Sequence, residues 1–177
     1  GVNVMGAGDG WVEPLKGCME CPVTHRLARR TSRIGANSPG VKDFYVEHGL
    51  PADLFTVIHN GSAPAHPSPI SRTQLLAELG LPENVLLIGV VGRFWPQKRI
   101  KDAIWAADLL QVIRRDFRML IIGEGPHRER LERFRNQCHV AEWVHFLGHR
   151  SDVARLMPHF DVFVSTSAYE GQSNSIM

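Results

Sequence analysis

Four apolar segments dominate the second half of the chain: "VLLIGVVG" from Val85, "FRMLIIG" from Phe117, "WVHFLG" from Trp143 and "FDVFVS" from Phe160. Continuous apolar runs of this length suit strands that are buried on both faces, as in parallel sheets. The intervening segments have helical spacing instead. In "IKDAIWAADLLQVIRR", Ile100, Ile104, Ala107, Leu110 and Ile113 recur on one stripe. In "HRERLERFRNQC", Leu131, Phe134 and Cys138 do the same on an otherwise charged segment. "SDVARLMPH" reads as a short helix with Ser151 as N-cap, and "SRTQLLAELGL" as one capped by Ser71. Strands alternating with helices predict an α/β fold: a parallel, Rossmann-like sheet with helices on both faces and right-handed crossovers.

The first part of the chain is less regular. Residues 1–24 hold five glycines and two prolines and read as loop. A helix is expected near 25–31 and a short strand at 33–37. "SPGVKDFYVEHGL" predicts a helix with Ser38 as N-cap and Val41, Phe44 and Tyr45 on one face. "LFTVIHN" predicts a strand over 54–59. "NGSAPAHPSP", from Asn60, is a turn followed by a proline-rich linker, the expected domain boundary. "GAGDG" near the start has no predicted strand before it and no helix after it, so it lacks the context of a dinucleotide fingerprint.

With 177 residues, 44% hydrophobic and 21% charged, the chain fits about one globular domain, or one and part of another. No apolar run approaches the roughly 18 residues that span a bilayer, and the first residues carry no signal-peptide pattern. A net charge of +2 is too mild to imply nucleic acid. "HRLARRTSR", His25 to Arg33, holds four arginines and no acid. It reads first as a solvated face and second as a surface for anionic lipid or substrate. Three cysteines give no disulfide framework, in keeping with a reducing, cytoplasmic setting. Cys18, Cys21 and His25 could supply three zinc ligands, but no second pair completes a closed site, so no metal is expected. Cys138 reads as a core residue.

In parallel sheets, ligands bind beyond the carboxyl ends of the strands. The informative loops are therefore "GRFWPQK", "GEGP", "LGHR" and "STSAYEGQSN". Arg93 and Lys98 are two cations in one loop that starts at Gly92; guanidinium and ammonium both suit phosphate oxygens. Gly123 and Gly125 let backbone come close to a ligand. Gly171 to Asn174 would open a helix whose free N–H groups suit an anion. Together these predict a diphosphate site. Glu170 would repel phosphate unless it has another task, such as gripping sugar hydroxyls. Its alternative is to favour a helix N-terminus electrostatically. The combination suggests a nucleotide sugar as ligand.

"VVGRFWPQK", "LIIGEGPHRERLE", "VHFLGHRSDV" and "FDVFVSTSAYEGQSNSIM" resemble the second domain of group 1 (family 4) glycosyltransferases, retaining enzymes of the GT-B fold that use nucleotide sugars. "ANSPGVKDFYVEHGL" and "FTVIHNG" resemble the end of that family's first domain and its linker. The resemblance implies residues 1–59 as a remnant of the acceptor-side domain, 60–70 as the interdomain linker and 71–177 as the donor domain. It implies that Arg93 and Lys98 neutralise the donor diphosphate. Glu170 corresponds to the first acid of a Glu-x7-Glu motif near the transferred sugar. Backbone of Gly171, Gln172 and Ser173 would hold sugar and phosphate, with main chain near Arg150 meeting the base. The motif's second acid falls after Met177, so the chain is expected to stop inside its donor site and to be inactive alone. Arg99 stands where the family commonly has glycine, and "NGS" where it often continues with an acid. No cofactor is implied. The partners implied are a nucleotide-diphosphate sugar and a carbohydrate or lipid-linked acceptor, the latter at the cytoplasmic membrane face. Alternatives are a phosphorylase or epimerase on the same fold, or a binding module without activity. A dinucleotide oxidoreductase is disfavoured, because "VVGRFW" lacks the glycine pattern.

Overall fold

The computed structural model describes residues 2–5, 28, 30–61, 68 and 70–177, the first four by backbone alone. The chain divides into two compact units: Gly1–Ala63 with Tyr169–Met177, and Pro64–Ala168. Most of the helix expected at 25–31 (all but residues 28, 30 and 31) and most of the proline-rich linker lie outside the described residues.

The second unit holds the four predicted strands. Its elements are helix α2 (Arg72–Glu78), strand β4 (Leu86–Val91), helix α3 (Ile100–Ile113), strand β5 (Phe117–Ile122), helix α4 (Arg128–Gln137), strand β6 (Val144–Gly148), helix α5 (Val153–Leu156) and strand β7 (Val162–Phe163). The sheet is parallel throughout, in the order β6-β5-β4-β7. Alternate residues of the central strands feed two cores. Ile88, Val90, Met119 and Ile121 face α3 and α4, with Ile104, Ala107 and Leu131 among their partners. Leu87, Leu120 and Ile122 face the other way, against Leu75 and Leu76 of α2 and Leu156 of α5. This two-sided burial explains why β4 and β5 are apolar at nearly every position.

Local chemistry sets the ends of these elements. Ser71 opens α2 with a capping box: its Oγ accepts from Gln74 N at 3.2 Å, and Gln74 Oε1 accepts from Ser71 N at 2.8 Å. Arg72 then donates to Val85 O and to Asp161, both at 2.7 Å. Asp161 also accepts from Leu87 N at 2.7 Å, which ties the start of β7 to β4. Burial pushes the Asp161 carboxyl up, but the Leu87 N–H and the Arg72 guanidinium outweigh it and hold the group below its ordinary range. Gly89, mid-strand in β4, is required by packing: a Cβ there would lie 2.1 Å from the Phe160 ring.

Three expectations need correction in this unit. Ile113 is 83% exposed, and Ala103 takes a place in the core. At about 100° per residue, position 113 falls roughly 120° from the centre of the buried stripe. Ser151 is not the cap of α5. Asp152 occupies that position, and its side chain makes no capping bond because Arg150 holds it. The last strand is only two residues long, although Asp161 N and Val164 N still donate to Leu87 O and Gly89 O at 2.9 and 2.8 Å.

The first unit has a parallel sheet in the order β1-β2-β3, formed by β1 (Val2–Met5), β2 (Arg33–Ala36) and β3 (Phe55–Val57). Helix α1 (Pro39–Glu47) follows β2; Ser38 Oγ accepts from Val41 N at 3.2 Å, the expected cap. Val41 and Tyr45 are buried with Ile34, Ala36 and Phe55, and Phe44 packs at the edge. Two expectations change here. Residues 2–5 form a strand, not a loop, so "GAGDG" does follow a strand. The strand expected over 54–59 is confined to 55–57, because β2 turns into the cap of α1 after Ala36 and offers no further partner.

One backbone position yields a prediction. Arg99, at the start of α3, has φ 48° and ψ 37°, the left-handed region. This costs a non-glycine residue roughly 1–2 kcal/mol, against about 0.5–1 kcal/mol of added unfolded-state freedom for glycine. Its ion pair with Asp102 is well exposed and adds little. Arg99→Gly is therefore expected to raise the melting temperature by up to about 4 °C. A fall of similar size in thermal denaturation contradicts this account.

Candidate functional site

The loops after β4, β5, β6 and β7 meet at one end of the second unit's sheet. The chain leaves β4 towards β5 and β6 on one side, then crosses back to lay β7 on the other. That reversal beside β4 is where open α/β sheets form a ligand crevice. The loop after β4 is the hub. Gly92 N donates to Ile122 O at 3.0 Å and Phe94 N to Glu124 O at 2.8 Å, while His127 N donates to Phe94 O at 3.3 Å. On the β7 side, Thr166 Oγ1 donates to Lys98 O and Ala168 N to Gln97 O, each at 2.8 Å. Gly123 N donates to Gly148 O at 2.9 Å and brings in the end of β6.

Within the hub, Arg93 and Lys98 stand on either side of a fixed point. Phe94 is fully buried, its ring edge-on to Phe146 at 5.5 Å. Residues Pro96–Lys98 then form a 3₁₀ turn with Gln97 buried. Arg93 is exposed and Lys98 half-buried. The Lys98 stem runs past Gly92, where a Cβ would lie 3.6 Å from its Cγ and Cδ. The structure thus places both cations on one anchored loop beside the reversal of strand order.

The two glycines of the next loop also have a packing role that spacing does not reveal. A Cβ on Gly123, whose φ is 139°, would lie 2.0 Å from Gly92 O. One on Gly125 would lie 2.8 Å from Phe94 N and O. Both glycines let this loop dock closely on the neighbouring one.

Arg150 is committed by its side chain. Nε and Nη2 donate to Asp152 at 2.8 and 2.7 Å, and Nη2 to Glu78 at 3.3 Å. Arg155 donates to the same Glu78 at 2.7 Å. The Asp152 hydrogen bonds push the Arg150 guanidinium further up, and Arg150 holds Asp152 below its ordinary range. His149 is exposed beside Arg150.

Glu170 to Asn174 belong to the first unit. Glu170, Gly171, Gln172 and Ser173 are half-buried. Asn60 holds this segment: its N donates to Gln172 Oε1 at 2.7 Å and its Nδ2 to Asn174 Oδ1 at 2.8 Å. Gln172 Nε2 meets Met177 Sδ at 2.9 Å. Ile176 N and Met177 N donate back to Ser173 O at 3.2 and 3.3 Å, a single helical-type turn. Sequence reasoning placed Asn60 only at a linker turn. Its partners lie 112 and 114 residues away, beyond any spacing rule.

Among the described residues no group of His, Cys, Asp or Glu could hold a metal. Cys18, Cys21 and His25 lie outside them. Cys138 is a free thiol that burial pushes above its ordinary pKa. It packs at the edge of the core that α3 and α4 cover.

The sequence profile described as "Glycosyl transferases group 1" matches residues 71–176. The chain belongs to this family. It is 26% identical over 149 residues to the lipopolysaccharide core biosynthesis glycosyltransferase LpsE of Rhizobium meliloti, covering 84% of this chain and 41% of the relative. It is 28% identical to the Escherichia coli UDP-Gal:alpha-D-GlcNAc-diphosphoundecaprenol alpha-1,3-galactosyltransferase, over 77% of this chain and 36% of that one. The crystal structure of Anabaena HepE in complex with UDP-glucose superimposes with a TM-score of 0.83 at 25% identity, over 99% of this chain and 49% of HepE. The chain therefore spans less than half the length of these relatives, and its fold is that of GT-B glycosyltransferases.

Proposed function

We propose that the protein carrying this chain transfers a sugar from a nucleotide-diphosphate donor to an acceptor, with retention at the anomeric carbon. The observation that carries this reading is the anchored loop after β4, with Arg93 and Lys98 beside the sheet's reversal, within a group 1 family match. HepE is described with UDP-glucose and the E. coli relative is named for UDP-Gal, which favours a uridine donor. Arg93 and Lys98 meet the diphosphate, and Glu170 the transferred sugar. Backbone of Gly171, Gln172 and Ser173 supplies donors to sugar and phosphate, and the turn at Arg150 meets the base. Asn60 and Asn174 hold that segment in shape.

The chemical problem is departure of a nucleoside diphosphate. Negative charge grows on the leaving oxygen while the sugar becomes oxocarbenium-like. Fixed cations accelerate the step because they interact more strongly with that charge in the transition state than in the ground state. The test uses the full-length protein with UDP-glucose and UDP-galactose and a panel of carbohydrate and lipid-linked acceptors. NMR of the first product is expected to show a new glycosidic bond with the donor's anomeric configuration. An inverted product rules out retention. Conversion of the donor without transfer points instead to an epimerase, and phosphate-dependent cleavage of a glycoside to a phosphorylase.

A further inference from the structure

The second unit carries a surface that the proposed chemistry does not use. Helix α3 buries one stripe, yet its opposite side is apolar as well. Trp105, Leu109, Val112 and Ile113 are 57%, 56%, 83% and 83% exposed. At about 100° per residue these four fall within roughly 100° of one another, facing away from the core. Scattered surface apolar residues are ordinary, but a continuous stripe of large ones marks an interaction surface. Trp95, 43% exposed, stands near the start of the same helix.

Beside this stripe lies a basic hollow of about 600 Å³ between the start of α3 and helix α4. Arg99, Lys101, Arg130 and Arg133 line it with His127, against one acid, Asp102. Asp102 is already paired with Arg99. Lys101 lies 4.5 Å from the centre of the Phe134 ring, so its charge stays at the rim. Beyond the other end of α3, Arg114 is paired with Asp116 and Arg115 is exposed. The remaining acids of residues 99–137 are Asp108, which accepts from Gln111, Glu129 on α4, and Glu124 and Glu132, both paired with Arg128. Residues 99–137 contain nine Lys or Arg and six Asp or Glu, a larger positive excess than the +2 of the whole chain.

We propose that this face of α3, with the basic hollow at its flank, docks on an anionic lipid bilayer. An interfacial helix needs an apolar face that enters the headgroup boundary, indole rings suited to that depth, and cations beside it for lipid phosphate. All three occur together here, and charge complementarity selects an anionic surface. The inference rests on the second unit's surface alone, and its test reads vesicle binding rather than turnover.

The test is flotation of the full-length protein with phosphatidylcholine vesicles, with or without an equal part of phosphatidylglycerol. Binding is expected only to the anionic vesicles and should weaken as salt rises. The exposed-side triple variant Trp105→Ser, Leu109→Ser, Val112→Ser and the hollow variant Arg130→Glu, Arg133→Glu should each reduce binding at least about tenfold. Circular dichroism melting confirms that each variant is folded. Tryptophan quenching by brominated lipid should fall in Trp105→Phe. Absence of binding to anionic vesicles, or binding that both variants leave unchanged, overturns the proposal. So does a stripe variant that alters only self-association or capture of a protein partner.

Discussion

Lys98→Ala and Arg93→Ala in the full-length protein are each expected to lower turnover at least about tenfold, since a lost charged contact costs at least ~1.5 kcal/mol. The loop's main chain has anchors of its own. Lys98 is tied down through its main chain: its carbonyl accepts from Thr166, and the neighbouring Gln97 carbonyl accepts from Ala168. Arg93 is exposed beside the buried Phe94, which anchors the loop. The measurement is kcat and KM with the best donor, alongside a melting curve. Because the charges act on a leaving group whose charge grows, kcat should fall more than donor affinity. Unchanged turnover in both variants removes the diphosphate assignment, while a large loss of melting temperature would mark a structural role instead.

Gly123→Ala should be among the most damaging small changes in the second unit. The added methyl would meet the Gly92 carbonyl oxygen at 2.0 Å, and φ of 139° is a region that side chains avoid. Backbone strain of ~1–3 kcal/mol and overpacking of similar size together suggest a loss near 3 kcal/mol. That corresponds to a melting temperature lower by roughly 6–12 °C for a chain of this size. Gly40→Ala is the control, because nothing lies within 4 Å of its Cβ position and it sits in the first turn of α1. It should be neutral or stabilising, by up to about 1 kcal/mol. Equal melting temperatures for Gly123→Ala and Gly40→Ala would refute the packing assigned to Gly123.

How far the sequence discloses this fold depends on what limits each element. Strands β4 and β5 are legible because both faces are buried, so nearly every position is apolar. Strands β3 and β7 read too long, because apolar character continues past the point where a neighbouring strand can bond. Strand β1 was missed: four residues beside a glycine cluster carry too little pattern. The site divides in the same way. The rule that loops after parallel strands converge anticipated that Arg93 and Lys98 lie on the loop beside the sheet's reversal, and that is where the loop sits. The docking roles of Gly123 and Gly125, and the hold of Asn60 on Gln172, depend on contacts between distant segments. Spacing along the chain contains no signal for them.

Under the proposed function, the hydrogen bonds that lace the β4 loop to its neighbours would bear on catalytic efficiency. A flexible loop would have to settle around each donor, and that ordering would subtract from binding and from rate. Phe94 is plugged into the core with its amide and carbonyl both engaged, so under the proposed function the cations at 93 and 98 would be preorganised before a donor arrives. Electrostatic help of this kind needs no reorganisation at the moment the bond breaks. Selection on such a loop would therefore act on its hidden aromatic plug as much as on the cations it presents.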